Sequence, residues 1–396
     1  MDDVIIVGGG VMGSTLALAL CHVSRGRLKV RLLDARSGET RDGARTSAIA
    51  RGPRRMLERL GVWASVAAAA QPIMRMSIGD LSGPEDVKTS LLSFDAQGGE
   101  PLAHMVFHRD LEPMLSSAAR DAGVAVQHAR VVGFAAFQGH AEVRTSDGET
   151  HRARLVVAAD GARSPVREQA RLRTIGWDYD RAAIVTTISH ERPHDGVAVQ
   201  HFLPHGPIAL LPVTGDRTSI VWTTGAEMAQ RLLALAPADF ELELDQVVDR
   251  RLGRISVVDA PRAFPLTYAV ARRFAAARVV LVGDAAHRVH PLAGQGLNIG
   301  LRDVATLVDV ILAEARLGLD IGSTRVTDSY HAARYFDVVT TSAAFDLMHR
   351  LFGLDDPATR ALRGAGMRAT DVNGALKRYL MEEAAGLSGE TPSLFR

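Results

Sequence analysis

The chain has 396 residues, 47% hydrophobic and 23% charged, with a formal net charge of +1. That length suits roughly two to three domains and a sizeable core, and the balanced charge, with no stripe of Lys and Arg among aromatics, argues against a nucleic-acid partner. The single cysteine, Cys21, rules out a disulfide framework and a thiolate metal site.

From its start the chain enters an apolar strand, Val4 to Val7, which leaves no room for a signal peptide and points to a cytoplasmic protein. Gly8-x-Gly10-x-x-Gly13 follows at once, and an apolar helix runs from Val11 to about Val23. A second strand from Leu28 ends at Asp34, 21 residues beyond Gly13. A dinucleotide site requires this order of strand, glycine loop, helix, strand and acid. Gly8 makes the tight turn, Gly10 admits the pyrophosphate, and Gly13 lets helix and strand pack. The helix N-terminus offers free N–H groups to phosphate. Asp34 is placed to accept from ribose hydroxyls, and its charge disfavours a 2′-phosphate. The fingerprint leaves NAD and FAD both open.

A polar loop from Arg36 to Ala50 holds Arg45, whose guanidinium could pair with phosphate or ribose oxygens. A helix is expected over 53–63, weak strand character over 74–105, and a second helix over Arg109 to Ala122. Strands follow at Val131 to Phe137 and Ala141 to Thr145, then an apolar strand, Leu155 to Ala159, that ends in Asp160-Gly161. Short strands over 183–223 suit an antiparallel or mixed sheet, and helices are expected over 226–235 and 239–252. A third buried strand, Val279 to Val282, stops at Gly283-Asp284. Asp284 can accept from a ligand's hydroxyls, while Gly294 and Gly296 let backbone approach a flat ligand. An amphipathic helix begins near Leu297. The strand ends near residues 7, 159 and 282 are expected to converge on one crevice at the carboxyl edge of a parallel sheet.

His287 with His290, and His201 with His205, have no Cys or acid in ligand register, so no metal site is expected. Helices are predicted over 329–348 and 356–385. Phe345, Leu347, Met348, Leu351 and Phe352 form an apolar cluster near Arg350, suited either to packing on the cofactor domain or to a membrane or partner contact. No apolar run approaches the ~18 residues of a membrane span.

The segments VGGGVMGSTLALAL, RTSAIARGPRRMLERLGVW, LVVAADGARSPVR, HFLPHGPIALLPV and VVLVGDAAHRVHPLAGQGLNIGLRDV together resemble the flavin-dependent aromatic hydroxylases with a single FAD-binding domain. Within them the chain looks most like the hydroxylases of ubiquinone biosynthesis. The resemblance implies an α/β fold with a Rossmann-like FAD-binding domain, an inserted mixed β-sheet substrate domain and C-terminal helices. The expected divisions are 1–176 and 259–330 for FAD, 177–258 for substrate with a contribution from 74–108, and 331–396 for the helices. Gly8, Gly10, Gly13 and Asp34 would hold the ADP half of a non-covalent FAD, with Arg45 and Arg109 reaching the nucleotide. Asp160 and Gly161 would lie near the pyrophosphate. Gly283 and Asp284 would hold the ribityl chain, and Pro291, Gly294, Gln295, Gly296, Leu297 and Asn298 would line the isoalloxazine.

The resemblance also implies a reaction. NAD(P)H reduces FAD, O₂ adds at flavin C4a, and the hydroperoxide's distal oxygen passes to a (poly)prenylated phenol ring. Another aromatic substrate, a dehydrogenase or reductase of the same fold, and a non-catalytic scaffold for FAD or quinone intermediates stay open as alternatives. No catalytic residue is assigned, although His290 and Arg288 lie nearby. A prenylated substrate resides in the membrane, so the chain would dock on the inner face of the bilayer or receive substrate within a biosynthetic complex. The chain departs from the family at Tyr179-Asp180-Arg181, where Tyr-x-Gln is usual, and at His104-Met105, where an acid and Asn are common.

Overall fold

Strand Asp2–Val7 has its last four residues buried, as a central strand of a parallel sheet must. The computed structural model describes residues 1–36, 44–80, 91–203, 205–248, 252–289, 294–354 and 356–396. In it Asp2–Val7 lies between Thr150–Ala158 and Val30–Asp34, with Val279–Leu281 beyond the first and Ala125–His128 beyond the second, all parallel. Val7 pairs with Ala158 and Ala158 with Leu281, so three strands distant in sequence end level with one another. The expected convergence is realised by this register. Helix Val11–Ser24, buried along most of its length, and helix Gly296–Arg316 complete the core around the sheet.

A second, mixed sheet stands beside the first. Its order is His287–Arg288, Arg262–Ala271, Thr174–His190, Arg217–Gly225, Gly206–Val213, Val197–Leu203, Arg75–Asp80 and Leu92–Asp95. Only the pairing of Val197–Leu203 with Arg75–Asp80 is parallel along this path. The sheet thus draws in strands from both sides of 177–258. Helices Ala226–Leu233 and Pro237–Val247 cover one face over Ile184, Ile208 and Ile220. The faintly patterned stretch 74–105 contributes short strands because their partners are remote: Ala103–Phe107 pairs with Thr46–Ala50 in a separate three-stranded sheet.

The helix expected over 356–385 is two helices, Pro357–Val372 and Gly374–Ala384. Asn373 interrupts it, its side chain accepting from Leu376 N at 3.1 Å as the N-cap of the second. The chain then folds back. Phe395 is 1% exposed and packs on Gly52, where a Cβ would stand 2.6 Å from the ring. Gly52 N donates to Ala385 O at 2.9 Å, Arg59 to Ser393 O at 2.8 Å, and Ser393 N to Asp309 at 2.8 Å. Upstream, the cluster on helix Thr324–Gly353 divides. The Phe352 ring stacks on Phe202 with centroids 3.7 Å apart, while Leu347 and Met348 are exposed. Among the described residues no helix is long and apolar enough to cross a membrane.

Candidate active site

The glycine loop separates into positions that the fold needs and one that a ligand needs. Gly8 has φ +104°, and a Cβ there would lie 2.4 Å from Ala159 O. A Cβ on Gly13 would lie 1.8 Å from Gly8 O, an impossible approach. At Gly10 the nearest atom to such a Cβ among the described residues is Arg36 Nη2 at 3.9 Å, so these residues leave the space above the helix start open. Gly10 is the N-cap of helix Val11–Ser24 and supplies no side-chain cap, which leaves the first N–H groups for a phosphate.

Asp34 ends its strand beside this opening and is bridged by Arg36, whose Nε lies 3.2 Å from each carboxylate oxygen. Arg36 Nη1 donates to Glu112 at 2.8 Å, Glu112 lies 3.5 Å from His108 Nδ1, and His108 Nε2 lies 2.8 Å from Ser47 Oγ. Burial works against the Arg36 charge, but Asp34 and Glu112 outweigh it and raise its pKa. Burial likewise opposes the Glu112 carboxylate, and His108 and Arg36 together hold its pKa below the usual range. The sequence reading had singled out Arg45 in this region. Arg45 is exposed, with its carbonyl accepting from His108 N at 2.9 Å. Arg109 is half-buried and lays its guanidinium 4.0 Å from the centre of the Phe107 ring.

Asp160 stands level with Gly8, whose Cβ would fall 2.9 Å from Asp160 Cα. Among the described residues its buried Oδ1 has no hydrogen-bond partner, and burial pushes the carboxyl pKa up. Gly161 follows with φ +83°. An orphaned carboxyl oxygen at a phosphate-binding turn is an atom that a ligand hydroxyl would satisfy.

Gly283, at φ +58°, turns the third strand end so that Asp284 is exposed between buried Gly283 and Ala285. The turn is fastened from behind by Asp303, 0% exposed, which accepts from Gly283 N at 3.0 Å and lies 2.6 Å from His287 Nε2. Its other oxygen accepts from Arg334 Nε at 2.8 Å, and Arg334 also pairs with Asp337. Burial pushes the Asp303 carboxyl up, but His287 and Arg334 outweigh it and hold the pKa low. Asp303 was missed as a site residue, although a carboxylate between Leu301 and Val304 on a buried helix face requires a partner.

Pro291 lies outside the described residues. Gly294 has φ +64° and approaches Ala48, with its Cβ position 4.0 Å from Ala48 Cβ. Asn298, expected to line the isoalloxazine, lines the adjoining cavity and also ties the helix to the neighbouring strand. It accepts from Ala50 N at 3.0 Å and donates to Ala48 O at 2.9 Å. Gly296 and Leu297 open the helix, and Gln295 faces a cavity of about 340 Å³. That cavity lies between Gly294–Asn298, the open face of the mixed sheet, and Leu380 and Met381 of helix Gly374–Ala384. It is mostly apolar and of a size for a small organic ligand.

The strand-end residues together fit FAD: an open phosphate cradle at Gly10, an acid at Asp34, an unsatisfied acceptor at Asp160, an outward carboxylate at Asp284 and a glycine loop beside a cavity. Asp284→Ala is expected to weaken FAD binding by about 1.5–3 kcal/mol through loss of a charge-assisted hydrogen bond. Fluorescence titration of the apoprotein measures this; unchanged affinity would make Asp284 a strand-end residue only.

Comparison with known proteins agrees with the geometry. Residues 1–339 match the FAD-binding domain family. The chain is 40% identical over 405 residues to ubiquinone hydroxylase UbiL of Rhodospirillum rubrum, covering 100% of this chain and 92% of the relative. It is 32% identical over 398 residues to 3-demethoxyubiquinol 3-hydroxylase of Escherichia coli, covering 97% and 98%. The solved structure of p-nitrophenol 4-monooxygenase from Pseudomonas putida superposes with a TM-score of 0.81 at 21% identity, over 98% of this chain and 99% of that one, and so shares its fold. The chain belongs to the FAD-dependent monooxygenase family, among the proteins related to the ubiquinone hydroxylases.

Proposed function

We propose that the protein hydroxylates a (poly)prenylated phenol in ubiquinone biosynthesis, with NAD(P)H as reductant and O₂ as oxygen source. The observation that carries this reading is the apolar cavity bounded by Gly294, Gln295 and Asn298 on one side and by the mixed sheet on the other. An aromatic ring with an apolar tail fits such walls, and the relatives named ubiquinone hydroxylases support the choice. Gly8, Gly10, Gly13 and Asp34 would hold the ADP half of FAD, Asp160 the region near the pyrophosphate, Asp284 the ribityl chain, and Gly294 and Gln295 the ring system. When bound and reduced, FAD supplies the activation of O₂. The chain's own part is to place the phenol and exclude water, which the side chains of Ala209, Leu211 and Val221 do by lining the cavity with hydrocarbon.

Purified protein is expected to be yellow, to release FAD on heating, and to place one atom of ¹⁸O₂ in a hydroxylated product from 2-prenylphenol. A flavin-loaded protein that oxidises NAD(P)H with no labelled product from any phenol would overturn the reading in favour of a reductase or scaffold.

Delivery of a membrane-borne substrate gives the outward half of the helix cluster a role: Leu347 is 67% exposed and Met348 43%, with Arg350 at the same end of the helix. Docking of this face on an anionic bilayer is expected. Leu347→Ser with Met348→Ser should reduce co-sedimentation with phosphatidylglycerol vesicles without lowering the melting temperature; unchanged co-sedimentation would remove this face from the account.

A further inference from the structure

The cavity wall formed by the mixed sheet follows the two-residue alternation of a strand, with Ala198, Ala209, Leu211 and Val221 turned toward the cavity. Gln200 interrupts that apolar face. It lies two residues beyond Ala198 in strand Val197–Leu203, lines the cavity, and is only 7% exposed. Its backbone is held in register between Ala209 and Ile78, so the side chain's direction is set by the sheet. Among the described residues its amide makes no hydrogen bond, and it opens onto the cavity. A primary amide carries two donors and an acceptor, and one that opens onto a cavity walled by hydrocarbon offers a bound ligand a hydrogen bond that its other walls do not. The charged groups at the cavity behave differently. Arg51 already has Glu100 at 3.2 Å, and Arg378 and Glu382 are exposed to solvent.

We propose that Gln200 orients the substrate by hydrogen-bonding its phenolic oxygen. The amide carbonyl accepts from the phenol O–H, and the amide N–H group serves the same oxygen when it is ionised. This rests on the phenol reading of the cavity and adds a specificity-determining residue to it. With one ring oxygen fixed at the sheet wall, rotation of the ring is restricted. The choice of carbon presented to Gly294 and Gln295 then follows from where Gln200 stands. A purely apolar wall would accept the ring in several rotations.

The test uses the full-length protein loaded with FAD, titrated calorimetrically with 2-(3-methylbut-2-enyl)phenol and with its methyl ether. Wild type is expected to prefer the phenol by about tenfold or more, because the ether has no O–H to donate. Gln200→Met matches the length of the side chain without its polar tip. It should bind the two ligands within about twofold of each other, with a melting temperature at or above wild type because no internal hydrogen bond is lost. Gln200→Asn keeps the amide but withdraws it by one methylene, and should lose most of the preference. Product analysis should show one hydroxylated isomer for wild type and several for either variant. A phenol preference retained in both variants overturns the proposal. So does equal weakening of both ligands with a fall in melting temperature, which marks Gln200 as packing. If wild type binds neither ligand, the phenol reading falls and this inference with it; if wild type discriminates and the variants still do, only the inference falls.

Discussion

Gly10→Val should give a folded protein that binds no FAD. The residue has φ −70° and extended ψ, which valine adopts without strain, and among the described residues nothing lies closer than 3.9 Å to the new Cβ. The branched side chain therefore meets the pyrophosphate and not the chain. Wild type gains about 2.7 kcal/mol of stability at an FAD concentration of 100 Kd; the variant should gain none, and its melting temperature should match that of wild-type apoprotein. Gly13→Ala provides the contrast. Its single methyl would stand 1.8 Å from Gly8 O, a backbone atom that cannot move without parting strand from helix. That variant should lose the fold of the first βαβ unit, seen as insolubility or loss of cooperative melting. If Gly10→Val retained FAD, the pyrophosphate would lie elsewhere and the assignment of this loop would fail.

The second large effect is expected at Asp303. Removing its carboxylate by Asp303→Ala leaves Arg334, 2% exposed, without its buried counter-charge and frees Gly283 N. A broken buried ion pair costs about 3–5 kcal/mol. The same change unfastens the turn that presents Asp284, so FAD affinity should fall in the protein that remains folded. Asp303→Leu with Arg334→Met should recover much of the stability, since no unpaired charge is left, but not the FAD affinity, because Gly283 N still lacks its acceptor. The pH dependence has a definite sign. The folded-state pKa of Asp303 is depressed, so its contribution is present above the ordinary carboxylate pKa of about 3.9 and is lost as pH falls through the folded value. The stability gap between wild type and Asp303→Ala, measured by urea unfolding, should be largest near neutrality and shrink in acid. A constant gap from pH 7 to pH 3 would assign the loss to packing alone.

The parts of this site legible in the sequence are those whose logic is local. Gly8, Gly10 and Gly13 lie in one loop, and each of the other strand ends shows its acid directly after an apolar run, so their roles follow from short-range order. The chain Asp34–Arg36–Glu112–His108–Ser47 is not local: Arg36 and Glu112 are 76 residues apart, and only the fold makes them neighbours. For the same reason Arg45 can be read from its loop, whereas the bridge that Arg36 makes to Glu112 cannot. Asn298 lines the cavity and its amide also holds the backbone of Ala48 and Ala50, a long-range contact that the local sequence does not show. The short strands between 74 and 105 are faint in the sequence because they pair with remote partners and are too short to show a clear pattern of their own. Gln200 was within reach: a polar residue between Ala198 and Phe202 on a buried strand contradicts its pattern, and such contradictions gather at functional sites.

A ribosome delivers this sheet out of order. Asp2–Val7 emerges first, yet its neighbour Thr150–Ala158 arrives only after well over a hundred further residues, and Val279–Leu281 after a similar wait again. At about 5–20 residues per second, some 15–55 s separate the appearance of Gly8 from that of Asp284. During that interval the Val4–Val7 run has Val30–Asp34 on one flank and an open edge on the other, a state prone to wrong pairing. The three strand ends therefore cannot form one crevice until Val279–Leu281 has been made. Flavin supply during expression should therefore change how much protein survives after release more than how it folds on the ribosome.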